Sequence, residues 1–245
     1  MSTESNTGKA TKWPKQLPPL SAEQLHTRDE FMKLWHEILP RRYGAIENFN
    51  QRYPVSRMVL RNWRPRTLEI GAGLGGHLNY EDLEKQEYYA LELRPAMAEE
   101  LSRRFPQCHA TVGDCQRQLP FDSGFFDRVL AIHVLEHLPN LPAAIREVHR
   151  VLRTDGQFVV VIPCEGGFVY RLARNFSARR IFERRFKQPY DWLIESEHIN
   201  VPGEIIEELC VFFDITHRRF FPFPVPLVDS NLCIGLTLRP KHDTA

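Results

Sequence analysis

From Arg66 onward, short apolar runs alternate with stretches whose apolar residues recur at helical spacing. The apolar runs predict strands at about 67–70, 88–93, 110–112, 128–133 and 157–162. Helices are predicted between such runs at 95–105 and 142–152, and a shorter polar helix after the first run ends near Lys85. This alternation is typical of a parallel sheet with helices on both faces.

Two further strands complete the predicted sheet. A helix is expected at 202–211, followed by strands at 213–220 and 232–238 that a proline-rich loop joins, as in an antiparallel pair at the edge of a sheet. We therefore predict an α/β fold. Its core is a Rossmann-like doubly wound sheet of seven strands, mostly parallel with an antiparallel C-terminal strand, and with helices on both faces.

Other parts of the chain flank or interrupt this pattern. Residues 1–20 are polar and contain prolines, which predicts a mobile tail. Residues 21–63 predict a helical cap, and the main domain is expected to span 64–240. Within that domain, residues 168–200 are basic and aromatic and predict an inserted lid.

Composition narrows the function. The formal net charge of +1 argues against the wide basic surface that nucleic acid binding requires. No apolar run approaches the roughly 18 residues of a membrane-spanning helix, and the N-terminus lacks the apolar core of a signal peptide. The five cysteines are scattered without a C-x-x-C motif, so we expect reduced thiols in a cytoplasmic protein and no metal site.

The first predicted strand breaks into a glycine-rich loop. Gly71, Gly73 and Gly75 alternate along it, and Glu69 precedes them. Glycine has no Cβ and tolerates positive φ, so a ligand can lie directly against such a backbone. Alone, the spacing is a weak signal, because many such strings are only tight turns.

Polar residues follow or close the neighbouring strands as well. Glu92 closes the second predicted strand, Asp114 follows the third, and His133 closes the fourth. In a doubly wound sheet these positions lie together at the carboxyl edge, where ligands bind. A carboxylate such as Glu92 can accept hydrogen bonds from both hydroxyls of a ribose. Asp114 can accept from an adenine amino group while the backbone of Cys115 donates to the ring, so a nucleoside site is predicted.

Several stretches of the chain resemble class I S-adenosylmethionine-dependent methyltransferases that act on small molecules, quinones and sugars. The match is carried by E-I-G-A-G-L-G-G at 69–76, Y-Y-A-L-E-L at 88–93, the block L-P-F-D-S-G-F-F-D-R-V-L-A-I-H-V-L-E-H-L at 119–138, and R-V-L-R-T-D-G-Q-F-V-V-V-I-P at 150–163. Asp155 stands where the family usually has proline, and the segment after Gly76 is short for the family's first helix.

The resemblance implies S-adenosylmethionine as the cofactor and gives each site residue a role. The glycines would pass the methionine and ribose parts, Glu69 would hold the ammonium group through water or loop amides, and His133 with Val134 would lie beside the methyl group. The implied cofactor-binding residues are Glu69, Gly71, Ala72, Gly73, Gly75, Glu92, Leu93, Asp114, Cys115, His133 and Val134.

Other functions stay open at this stage. A nicotinamide-dependent oxidoreductase also places an acid at the end of its second strand, but it lacks the 119–138 block and no Y-x-x-x-K pair is present here. A methyltransferase-like protein that binds the cofactor without turnover is another alternative, as is an RNA methyltransferase. The expected substrate is a small molecule methylated on O or N, of anionic, sugar or lipid-like character.

Histidines near the expected pocket are candidate general bases, since imidazole titrates near neutrality. His198, which follows the insert, is the first candidate and His133 the second, whereas His137 is expected to pack or cap a helix. The insert itself carries six arginines and one lysine between 171 and 187, against the single acid Glu183. It is expected to be a solvated lid, a recognition element for an anionic substrate, or a peripheral contact with a lipid surface.

Overall fold

A computed structural model describes residues 12–58 and 64–241 of the chain. Its helices are α1 (Ala22–Arg42), α2 (Gly44–Ser56), α3 (Pro95–Arg104), α4 (Leu141–Val151), α5 (Phe168–Phe176), α6 (Ala178–Phe186), α7 (Asp191–Glu197) and α8 (Pro202–Phe212). Its strands are β1 (Arg66–Ile70), β2 (Glu87–Glu92), β3 (His109–Val112), β4 (Phe126–Ile132), β5 (Leu152–Pro163), β6 (Phe213–Phe221) and β7 (Cys233–Pro240).

The seven strands of the described ranges form one sheet in the order β3-β2-β1-β4-β5-β7-β6. The first five pair in parallel, and β7 is inserted antiparallel between β5 and β6. This confirms the predicted fold class, including the antiparallel C-terminal strand. The strand order reverses between β1 and β4, and that reversal opens a crevice at the carboxyl edge of the sheet.

Each face of the sheet is covered by helices, because its central strands bury both sets of alternating side chains. Along β5, Phe158, Val160 and Ile162 pack with residues of α4 and α8. The intervening Val159 and Val161 pack with residues of α2 and α3 on the opposite face. Two apolar layers therefore hold the sheet and leave its carboxyl edge for the site.

The predicted polar helix after the glycines is wrong. Residues 77–80 form only a single 3-10 turn, and α2 covers this face of the sheet instead. Polar bonds hold the turn against α2, since the buried His77 ring contacts Gln51 at 2.8 Å and Glu81 at 2.8 Å. Glu81 also pairs with the buried Arg128 at 2.8 Å. The segment has too few apolar residues to bury a helical stripe of its own.

The N-terminal part of the chain makes two kinds of contact. Residues 12–20 belong to the segment expected to be a mobile tail, yet Trp13 donates to Glu208 at 2.9 Å and Lys15 to Glu204 at 2.6 Å, so α8 holds them. Residues 1–11 and 59–63 lie outside the described ranges.

Farther on, Phe31 of α1 packs edge-on against Phe182 of α6 with ring centroids 5.2 Å apart.

The insert therefore folds as three helices that are held unequally. The apolar sides of α6 and α7 are buried with α1 in a small aromatic cluster. By contrast α5 has no buried residue. In the part of the chain described, every helix is too short or too polar to cross a bilayer.

Candidate active site

The register of the sheet aligns the predicted site residues in two rows. Ile70 pairs with Leu91 and Ala131, and Glu92 pairs with Val112. One residue beyond Glu92 and Val112 are Leu93 and Gly113, and two residues beyond Ile70 and Ala131 are Ala72 and His133, which together form the second row. Elements up to about 60 residues apart in sequence thus meet at one edge, as predicted.

The glycine loop has the backbone that its sequence requires. Gly71, Gly73 and Gly75 have φ of 67°, 55° and 73°, in the left-handed region that glycine adopts without strain. A Cβ on Gly71 would lie 2.5 Å from Cγ2 of Val134, whereas a Cβ on Gly73 would meet no atom within 4 Å. Gly71 is therefore needed for close packing, and Gly73 faces open space in which a ligand can approach the bare backbone.

Glu92 connects this loop to β2. Its carboxylate accepts hydrogen bonds from the N–H groups of Gly73 at 2.9 Å and Arg94 at 3.0 Å, and the Arg94 side chain also donates at 3.0 Å. The Glu92 side chain is 5% exposed. This carboxylate consequently shapes the loop at the same position where a ribose hydroxyl would be bound.

A cavity of about 430 Å³ lies beyond the ends of β2 and β3. Its walls include Leu93, Val112, Gly113, Asp114 and Leu119. Both Leu93 and Val112 are more than half exposed, so they offer apolar surface to a planar group. The Asp114 carboxylate lies at the edge of this cavity and is braced by the Gln116 N–H at 2.9 Å. Apolar walls with one carboxylate suit a purine ring with an amino group.

Two predicted residues are more buried than a direct ligand contact suggests. Glu69 is 4% exposed and accepts from the Tyr88 hydroxyl at 2.9 Å, and burial raises the pKa of this carboxyl. It lies beneath the loop, so its contact with a cofactor ammonium group stays a prediction. Cys115 is buried as well, and burial raises the pKa of its thiol to about 12, which leaves only its backbone available to a ligand.

His133 lies at the end of β4 in a strained conformation. Its φ of 53° is unusual for a residue other than glycine and is typical of functional sites. Nδ1 contacts the buried Glu136 carboxylate at 3.1 Å, while Nε2 is buried without a hydrogen-bond partner. Burial opposes a charge on this ring, but interactions with Cys233 and Glu136 outweigh it and raise the pKa of His133 to about 10.

The first candidate base, His198, is brought beside this group by a buried asparagine. The Asn200 side-chain amide donates to the carbonyl of Leu135 at 2.7 Å and to that of Leu138 at 2.8 Å. The backbone N–H of Asn200 also donates to the Glu136 carbonyl at 3.0 Å. These bonds dock the end of the insert onto the segment that follows β4, and they place the His198 ring 5.1 Å from the His137 ring.

His198 forms a dyad with a carboxylate that follows β5. Its Nδ1 lies 2.8 Å from Oε2 of Glu165, which also pairs with Arg174 of α5. Burial disfavours the charged carboxylate, but His198 and Arg174 outweigh it and lower the pKa of Glu165. The His198 side chain keeps 19% of its surface exposed, so the ring borders the crevice. His137 instead contacts the Glu197 carbonyl through Nδ1 at 2.6 Å, a packing role as expected.

Sequence reasoning did not single out Glu165 or the cavity residue Leu119. The signal for Glu165 was the same as for the other site residues, since it lies two residues after the end of the fifth strand. Leu119 lies in a loop, and no periodicity marks its contact with the cavity.

Comparisons with known proteins agree with this geometry. Residues 68–160 match the family model described as "Methyltransferase domain". Residues 68–160 are a methyltransferase domain of this family. This matched segment includes β1 to β4 and most of β5, which carry the glycine loop, Glu92, Asp114 and His133.

Several similar proteins are methyltransferases by name. The chain is 33% identical over 100 residues to sterol 4-C-methyltransferase strm-1 of Caenorhabditis elegans, across 38% of this chain and 29% of that protein. It is 35% identical over 105 residues to a probable phthiotriol/phenolphthiotriol dimycocerosates methyltransferase of Mycobacterium ulcerans, across 40% of each. Less than half the length of these relatives is thus matched.

The solved structures extend the likeness in fold. A TehB-like SAM-dependent methyltransferase of Corynebacterium glutamicum superposes with a TM-score of 0.59 at 16% identity, over 89% of this chain and 99% of that one. The domain architecture is therefore shared well beyond the matched segment.

Proposed function

We propose that this protein transfers the methyl group of S-adenosylmethionine to an oxygen or nitrogen of a small, lipid-like molecule, with His198 as the general base. The observation that carries the proposal is a continuous set of contacts across the site. Val134 lies close to Gly71, the adjacent His133 contacts Glu136, and the ring of His137 contacts the ring of His198. His198 in turn is paired with Glu165.

The described residues fit this cofactor. The open space at Gly73 accepts a group against the backbone, Glu92 is placed to bind ribose hydroxyls, and the cavity beside Asp114 accepts the adenine. When bound, the cofactor supplies a methyl group on a sulfonium leaving group. The protein then has to orient the acceptor, exclude water and accept a proton.

The geometry separates the two candidate bases. The His133 ring has Nδ1 against Glu136 and Nε2 buried, so neither nitrogen is free to meet an acceptor and we assign this residue to positioning rather than catalysis. An ionised Glu165 holds the proton of His198 on Nδ1 and leaves the Nε2 lone pair free to accept the acceptor's proton as the methyl group arrives.

The names of the relatives favour a lipid-like acceptor. The two sequence relatives are named for sterol and dimycocerosate acceptors, both of them largely apolar molecules. The acceptor would lie between the ring of His198 and the crevice at β4, beneath α5.

The test combines cofactor binding with turnover. Calorimetry with S-adenosylmethionine, its demethylated product and NAD should show binding of the first two and not of NAD. Incubation of lysate lipids with enzyme and cofactor should yield a species heavier by one methyl group, and His198→Ala should abolish it while cofactor affinity is retained. Binding without any methylated species would favour a protein that binds the cofactor without turnover.

A further inference from the structure

The helix α5 is amphipathic, but its apolar stripe faces outward. Phe168, Leu172 and Phe176 recur every four residues along it and are 58%, 45% and 58% exposed. A surface helix normally buries such a stripe against the core. The opposite side of α5 carries Arg174, which pairs with Glu165 at the active site.

The stripe continues onto the loop that joins β6 to β7. Gly167, just before α5, lies against the Val228 carbonyl, and the Phe168 N–H donates to Asp229 at 3.2 Å. The neighbouring Phe223, Val225 and Leu227 are 53%, 45% and 55% exposed. We define the apolar surface as Phe168, Leu172, Phe176, Phe223, Val225 and Leu227. It includes every phenylalanine that is strongly exposed within the described ranges.

Cationic side chains accompany this surface. Arg171 and Arg180 are exposed, and neither forms an ion pair with any residue in the described part of the chain. The Arg180 guanidinium lies over the Phe176 ring, 4.5 Å from its centroid. The acids nearby are engaged elsewhere, since Glu183 and Asp191 both pair with Arg179 and Asp229 caps α5.

We propose that the apolar surface docks on an anionic lipid bilayer, with α5 lying in the interface plane. Exposed phenylalanine and leucine on one side of a helix, flanked by unpaired arginines, match the composition of interfacial helices. Each arginine near an anionic surface adds attraction that salt weakens. Docking in this orientation places Arg174, Glu165 and His198 just behind the membrane-facing helix. It does not depend on which molecule is methylated.

Flotation with vesicles of defined composition tests the proposal. The full chain should bind vesicles of phosphatidylcholine and phosphatidylglycerol mixed three to one, and should bind pure phosphatidylcholine much more weakly. Arg171→Gln with Arg180→Gln should lower affinity about fivefold per arginine at low salt. The matched control is Arg146→Gln with Arg239→Gln, which removes exposed arginines of α4 and β7 and should change affinity less than twofold.

Apolar contact is tested separately. Leu172→Ser with Leu227→Ser should lower affinity more than tenfold, while Leu25→Ser with Val211→Ser, at exposed positions elsewhere, should have little effect. All four of these side chains are solvent-exposed, so the variants should fold, and their thermal unfolding verifies this. The proposal is overturned if both double variants lose vesicle affinity equally, or if the unaltered chain does not float with vesicles. A dimer detected by light scattering would also overturn the proposal if the unaltered chain does not bind vesicles and Leu172→Ser with Leu227→Ser makes it monomeric. The apolar surface would then contact a second copy of the chain.

Discussion

The backbone N–H of Gly73 donates to Oε2 of Glu92 at 2.9 Å, so the carboxylate that we propose to bind the ribose also holds the glycine loop. Glu92→Ala should therefore weaken S-adenosylmethionine binding through both effects. Hydrogen bonds to a charged group contribute about 1.5–3 kcal/mol, which corresponds to roughly a ten- to hundredfold increase in Kd. Calorimetry measures the change, and unchanged affinity would mean that Glu92 does not face the ribose. Glu87→Ala, at the other end of β2, is the matched control.

Gly71 is the second position at which the loop depends on its sequence. Gly71→Ala should cost about 2 kcal/mol or more, because alanine is strained at a φ of 67° and its Cβ would lie 2.5 Å from Val134. Val134→Ala combined with Gly71→Ala should recover the stability lost to the steric clash, whereas the loss caused by backbone strain should remain. Thermal unfolding measures both. Gly203→Ala is the control, since a Cβ there meets nothing within 4 Å and alanine favours the helix.

The Glu165–His198 dyad predicts a separation of binding from turnover. His198→Ala should lower kcat by roughly a hundredfold or more, the usual contribution of a general base, with cofactor affinity nearly unchanged. Glu165→Gln should lower kcat less and change its pH profile, because an amide does not stabilise the protonated ring. A fully active His198→Ala enzyme would remove this residue from the mechanism. His26→Ala, on α1, serves as the control histidine.

The contact between His133 and the buried Glu136 predicts how stability depends on pH. The pKa of Glu136 is lowered to about 2, since His133 and His137 outweigh its burial, so its contribution is present above about 4.5 and is lost as pH falls toward 2. The pKa of His133 is raised to about 10, so its contribution is complete below about 6.5 and is lost as pH rises toward 10. Glu136→Gln should flatten both limbs of the curve. Denaturant titrations at several pH values measure this, and an unchanged profile would contradict it.

Sequence reasoning reached most of the fold because strands buried on both faces have a strong apolar pattern. The glycine loop, Glu92, Asp114 and His133 were found because parallel strands bring their carboxyl ends to one edge. The helix after the loop was mispredicted because the covering helix, α2, comes from earlier in the chain. No local pattern shows that α2 takes this place.

The roles of individual histidines were less accessible to sequence. His133 lies in an apolar stretch and His198 follows acidic residues, but only the fold shows that His133 contacts Glu136 and that His198 pairs with Glu165. The bonds from Asn200 to Leu135 and Leu138 that bring these groups together join residues more than 60 positions apart. Contacts between residues so far apart produce no periodic pattern in the sequence from which they could be predicted.

The position of β7 between β5 and β6 has a consequence for the nascent chain. When the ribosome has made residues up to Phe221, β6 has no strand to pair with, because its sheet neighbour is still unsynthesised. Until β7 emerges, β5 also presents an open edge, and such an edge can pair with another chain. We expect the interval between synthesis of β6 and β7 to be the stage at which this protein depends most on chaperones.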